Sequence, residues 1–94
     1  MKAEQLNEAE ILEQTKKLNQ WRVKDKFLHK RFEFNNFKDS LAFVNSVGGC
    51  AEAADHHPDI TFGWGYAEIV LTTHDAGGLT EKDFSLAEKI DGLG

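Results

Sequence analysis

Ile60-Thr61-Phe62-Gly63-Trp64-Gly65-Tyr66-Ala67-Glu68-Ile69-Val70-Leu71-Thr72 is the stretch that decides the fold. β-Branched and aromatic residues dominate it, and Gly63 and Gly65 bracket a turn around Trp64, so it reads as two strands joined in a hairpin. A second hairpin lies upstream. Trp21-Arg22-Val23-Lys24 and the run Phe27 to Phe34 flank the polar pair Asp25-Lys26. Trp21 and Val23 lie two apart, as do Phe32 and Phe34, and a period of two is the signature of a strand.

Helical patterns occupy the spaces between and around the hairpins. The first is expected from about Asn7 to Leu18, with Asn7 as cap, Glu8 and Glu10 in the first turn, and Ile11, Leu12 and Leu18 as its apolar stripe. The second is expected from Phe37 to Ala54, capped by Asn36, with Phe37, Leu41, Val44, Val47 or Gly48, and Ala51 on one face. Gly48-Gly49 costs about 1 kcal/mol per glycine there, which points to close approach to the sheet or to a kink. Pro58 and the residues before it end this helix. A Gly77-Gly78 loop leads to the last helix, where Thr80-Glu81-Lys82-Asp83 forms a capping box and Phe84, Leu86, Ala87 and Ile90 are the buried side. The order helix, hairpin, helix, hairpin, helix predicts an α+β fold: a four-stranded antiparallel sheet with helices packed on one face, a two-layer sandwich. One domain over residues 1–94 is expected, its second sheet face exposed or used for association.

Composition narrows the function classes. The chain has 94 residues and a formal charge of -5. A nucleic-acid partner would call for a basic face, and the stretch Arg22 to Arg31 mixes Lys24, Lys26 and Lys30 with acidic and apolar residues, as the solvated side of a hairpin does. No nucleic-acid partner is expected. No apolar run approaches the ~20 residues of a membrane span, so no membrane partner is expected either. Residues 1–10 are polar and acidic, unlike a secretory signal. Cys50 is alone and suits a reducing compartment. The expected location is the cytoplasm.

The residues that carry chemistry are concentrated. Glu52-Ala53-Ala54-Asp55-His56-His57-Pro58-Asp59 puts two adjacent histidines where a helix gives way to a strand, and Thr72-Thr73-His74-Asp75 puts a third just past the last strand. If helix and strand end at one edge of the sandwich, the three imidazoles meet. Four readings remain open on spacing alone. They are surface histidines complementing a helix dipole, a three-histidine zinc site, acid–base catalysis by imidazoles whose unperturbed pKa is near ~6.5, and nucleophilic catalysis. The zinc reading is weakened by the lack of an HxH or HxxxH pair. The nucleophile reading is weakened because Ser46 and Cys50 sit in a helix body, where a lone cysteine is usually packed.

Taken together, Glu52-x-x-Asp55-His56-His57-Pro58-Asp59, the step to Thr72-Thr73-His74-Asp75, and Ala76-Gly77-Gly78-Leu79-Thr80-Glu81-Lys82-Asp83 resemble the pterin-4a-carbinolamine dehydratases. Trp21 and Phe32-x-Phe34-x-x-Phe37 are also similar to that family, so the resemblance runs from Trp21 to Ile90. It implies an enzyme that removes water from a 4a-hydroxytetrahydropterin, using no cofactor and no metal. His56, His57 and His74 would line the pterin site, with His57 and His74 as acid and base. Asp55, Pro58, Thr72, Thr73 and Asp75 would contact substrate, with Glu52 and Asp83 beside the pocket and Trp21 or Phe62 as its wall. Family members form homodimers or homotetramers, and an animal member doubles as a transcriptional coactivator. Gly63-Trp64-Gly65-Tyr66 departs from the family's commoner tyrosine–asparagine turn. The competing reading is a protein-binding module without essential catalysis.

Overall fold

In the computed structural model, which describes residues 4–93, the two hairpins and three helices occur in the expected order. They are α1 (Glu8–Lys16), β1 (Arg22–Lys24), β2 (Phe27–Glu33), α2 (Phe37–Ala54), β3 (Asp59–Gly63), β4 (Tyr66–Leu71), a 3₁₀ turn (His74–Ala76) and α3 (Glu81–Asp91). Residues 1–3 and 94, part of the expected single domain and of the reading of the N-terminus, lie outside the described residues.

Each hairpin pairs with itself and the two join through their second strands, giving the order β1-β2-β4-β3, antiparallel throughout. Alternation then sorts the side chains. Ala67, Ile69 and Leu71 of β4 are fully buried, and the register Leu28↔Leu71, Lys30↔Ile69 and Phe32↔Ala67 puts their β2 partners on the same face. Phe43, Val47 and Ala51 of α2 and Phe84, Leu86, Ala87 and Ile90 of α3 are buried with them. Full burial of one such aliphatic or aromatic side chain contributes about 1.5–3 kcal/mol. The face carrying His29, Arg31, Tyr66, Glu68 and Val70 has no helix on it among the described residues. The result is the α+β two-layer architecture expected from the sequence.

Three local expectations change. The first helix stops at Lys16 rather than Leu18, with Lys17 as its C-cap, and it buries none of its residues; Leu12 is 59% exposed. Its capping box pairs Asn7 with Glu10, and the Leu6 N–H donates to the Leu79 carbonyl just before it.

The second change is the inward face of α2. Asn36 caps the helix as expected, but the buried positions are Ser40, Phe43, Val47 and Ala51, while Phe37 and Leu41 are 45% and 40% exposed. The cause is a polar residue. Ser40 is buried because its hydroxyl donates to the Gly63 carbonyl at 2.6 Å at the end of β3. Counting apolar residues alone misses a position filled by a hydrogen bond. Phe37 stacks on Phe62 at the sheet margin, ring centres 5.7 Å apart.

The third change concerns Gly48-Gly49. A Cβ added at either position would meet nothing within 4 Å, and the helix runs unbroken through both. Close approach is therefore not their reason. Gly48→Ala and Gly49→Ala should each stabilise the fold by about 0.5–1 kcal/mol, since alanine restricts the unfolded chain and has room in the folded one. Urea unfolding of the two variants measures this, and a loss of stability would reveal packing against the glycines.

Candidate active site

α2 ends in a left-handed residue. Asp55 has φ 50°, and its N–H and that of His56 return to the carbonyls of Ala51 and Glu52. This is a Schellman ending with aspartate in place of the usual glycine. The helix is thus stopped by Asp55, ahead of Pro58, and the chain leaves in extended form through His56 and His57 into β3. There Asp59 stands opposite Val70 of β4. The end of α2 and the end of β4 therefore reach the same edge of the sheet. Beyond β4, Thr73 and Gly78 bridge each other in both directions, closing a loop that opens with the 3₁₀ turn His74–Ala76. α3 starts immediately afterwards, capped by Thr80.

One buried carboxylate gathers these segments. Asp83 has no exposure. Its Oδ1 lies 2.6 Å from His56 Nε2, and its Oδ2 accepts from the Thr73 hydroxyl at 2.8 Å and from the Thr80 N–H at 3.0 Å. Thr73 and Thr80 hydroxyls are 2.8 Å apart, and Thr80 Oγ1 accepts from the Lys82 N–H. A carboxylate only accepts and a hydroxyl has one proton to give. The directions are then fixed: Thr80 donates to Thr73, and Thr73 donates to Asp83. His56 must likewise donate from Nε2, and its Nδ1 has no side-chain partner among the described residues. No buried side-chain nitrogen or oxygen among the described residues lacks a partner.

The other expected residues sit differently. His57 Nε2 meets the Glu52 carboxylate in an exposed pair, and such pairs are screened and weak. His74 is exposed and makes no side-chain hydrogen bond among the described residues, and Asp55 and Asp75 are exposed beside the histidines. Thr72 spends its hydroxyl on the Lys26 carbonyl at 2.7 Å, tying the edge to the first hairpin turn. Pro58 is half-buried and trans. A recess of about 320 Å³ opens beside His56 between the end of α2 and α3, bordered by Ala54, Glu81, Lys82 and Ser85. His57 and His74 do not border it. The structure thus brings the three histidines to one edge, with one ring braced from inside and two facing outward. Among the described residues no three His, Cys, Asp or Glu side chains converge on a point where a metal ion could sit.

Two expectations are corrected here. Trp21 does not wall this edge. It is a core residue, 4% exposed, edge-on to Phe32, and its indole N–H donates to Asp91 at 2.9 Å. Asp91 lies eight residues beyond Asp83, about 12 Å along the helix. Asp83, expected to sit at the pocket as a substrate contact, has both oxygens occupied by protein and acts from beneath. Thr80 is the member of this network that sequence reasoning missed; a cap residue gives no sign that its hydroxyl also serves a neighbouring loop.

Asp83→Ala strands an imidazole, the Thr73 hydroxyl and the Thr80 N–H, and should cost roughly 3–5 kcal/mol. Glu52→Ala and His74→Ala, which touch no buried group, should stay near the parent. Urea unfolding of the three variants compares them, and a parent-like Asp83→Ala would show that the network does not hold the edge.

Residues 4–93 match the family model described as pterin 4 alpha carbinolamine dehydratase. A protein of Picosynechococcus sp. (strain ATCC 27264 / PCC 7002 / PR-6), provisionally named pterin-4-alpha-carbinolamine dehydratase, is 46% identical over 91 residues, covering 97% of this chain and 99% of that one. One of Halorhodospira halophila with the same provisional name is 55% identical over 69 residues, a match spanning 73% of this chain and 63% of that protein's length. Among solved structures, the transcriptional coactivator/pterin dehydratase from Brucella melitensis is similar with a TM-score of 0.90 at 28% identity, covering 95% of this chain and 97% of that one.

Proposed function

We propose, because this chain belongs to the pterin 4 alpha carbinolamine dehydratase family, that it converts a 4a-hydroxytetrahydropterin into the quinonoid dihydropterin by histidine acid–base catalysis. The observation that carries the reading is the braced edge: Asp83 holds His56 through Nε2 and fastens Thr73, the residue next to His74.

The reaction needs two proton transfers and no change of oxidation state. The hydroxyl leaves C4a with its bonding electrons, and a protonated imidazole supplies a proton so that water departs rather than hydroxide. The N5 lone pair forms the C4a=N5 bond, and a neutral imidazole takes the N5 proton. Between turnovers the proton gained by the base must return to the acid. His57 and His74, exposed at this edge, suit those roles. His56, with Nε2 committed to a buried carboxylate, suits positioning of the pterin through Nδ1. In this reading Glu52, Asp55 and Asp75 orient the neighbouring rings or contact substrate, and Pro58, Thr72 and Thr73 shape the edge. The reading takes a biopterin-type carbinolamine as substrate, in recycling of tetrahydropterin after aromatic hydroxylation. No helix among the described residues is long and apolar enough to cross a membrane, and with the unpaired Cys50 the cytoplasm remains the proposed location.

In a carbinolamine-release assay with chelator present, the protein should accelerate product formation over buffer. His57→Ala and His74→Ala should each lower that rate roughly 10²–10⁴-fold with circular dichroism unchanged. Parental rates in both variants would remove them from the mechanism, and no acceleration by the parent would remove the enzymatic reading itself.

A second reading, a protein-binding module, is favoured by the coactivator in the name of the Brucella structure and by the exposed Phe37, Leu41 and Trp64. The same apolar surface suits a homodimer or homotetramer. Sedimentation equilibrium should return twice or four times the 10.6 kDa protomer mass. A protomer mass at micromolar concentration would refute the assembly.

A further inference from the structure

We propose that the uncovered face of the sheet carries a binding site for a small phosphate-bearing anion, over β1, β2 and β4. A recess of about 670 Å³ lies there, bordered by Gln20, Arg22, His29, Arg31, Glu68 and Val70. That volume falls in the roughly 300–1,000 Å³ range of small-molecule sites. Lys30 also borders it, but its ammonium is bonded to Asp91 at 2.8 Å on the helix-covered side and takes no part.

The polar groups of the recess are mainly donors. Arg22 and His29 stand directly opposite each other on β1 and β2. Neither has a carboxylate within ion-pair distance among the described residues. A cationic pair in that position repels when the imidazole is protonated, and an anion between the two rings of charge would relieve it. Arg31, two residues on from His29 and on the same face, is already held in place. Its guanidinium lies over the Tyr66 ring, 4.3 Å from the centroid, and Nη1 bonds Glu68 at 2.9 Å. The Glu33 carboxylate is 3.6 Å from its Nε. These contacts use part of a five-donor fork and leave N–H groups available. Two guanidiniums and an imidazole approaching from different strands match the several oxygens of a phosphate group. A small ligand is favoured over a nucleic-acid backbone because Glu33, Glu68 and Asp59 border the patch and the chain's formal charge is -5. None of His56, His57, His74 and Asp83 borders the recess, and the proposal does not depend on the dehydratase reading.

The test is an amide NMR titration of the full chain with inorganic pyrophosphate, chelator present and ionic strength held constant. Saturable shifts centred on Arg22, His29, Arg31 and Val70 are expected, with affinity about tenfold or more weaker in Arg22→Gln and in His29→Gln, while the carbinolamine-release rate of both variants stays parental. Non-saturating shifts that sodium chloride reproduces would overturn the proposal. So would shifts centred on the 74–78 loop, amides on this face left unmoved because a second copy covers it, or parental affinity in Arg22→Gln. Tighter binding of a charge-matched oligonucleotide than of pyrophosphate would overturn the small-ligand assignment.

Discussion

A carboxylate taken wholly out of water must find several donors at once, and Asp83 finds them on three different segments. That requirement sets the geometry of the edge where α2 and β4 end. His56 comes from the end of α2, Thr73 from beyond β4, and the Thr80 N–H from the start of α3. Shifting any one of them leaves a buried group unpaired, at a cost of roughly 1–3 kcal/mol for a neutral donor and more for a charge. The other end of α3 is fastened in the same manner: Asp91 Oδ1 accepts from both Trp21 and Lys30. With a carboxylate anchor at each end, α3 is prevented from sliding along the sheet or rolling on it.

The two layers divide the labour. The covered side holds the apolar core and the two anchors. The edge where α2 and β4 end offers two exposed imidazoles, His57 in an exposed pair with Glu52 and His74 without a side-chain hydrogen bond among the described residues. The uncovered side presents charged residues in cross-strand register. Buried anchoring groups and exposed imidazoles are thus different residues, with Asp83 and His56 at the boundary between them.

Much of this arrangement was legible in the residues. Period-two residues on either side of Asp25-Lys26, and a β-branched and aromatic run broken by Gly63 and Gly65, gave the two hairpins, and Asn7, Asn36 and Thr80 marked three helix starts, because these signals are local. The clustering of His56, His57 and His74 was also legible, since it needed only that a helix and a strand end at one edge. What stayed hidden depends on contacts distant in the chain. Ser40 displaced the apolar count on α2 through a bond to Gly63. Trp21, an amphipathic aromatic that could have faced a ligand, was claimed by Asp91. Asp83 looked like an ordinary cap partner, and nothing local to it shows that His56 and Thr73 also reach its carboxylate. The glycine pair in α2 has no packing neighbour to explain it.

The burial of Asp83 has an evolutionary consequence. The fold needs this residue whether or not the protein turns over a substrate, so its presence in a related sequence says little about activity. His57 and His74, the proposed acid and base, touch nothing the fold depends on and would be free to drift once selection for catalysis relaxed. A lineage that kept the scaffold for another purpose would therefore retain the aspartate and the threonines around it while losing the outward-facing histidines. Those two positions are where a working enzyme and an inherited shell would part company.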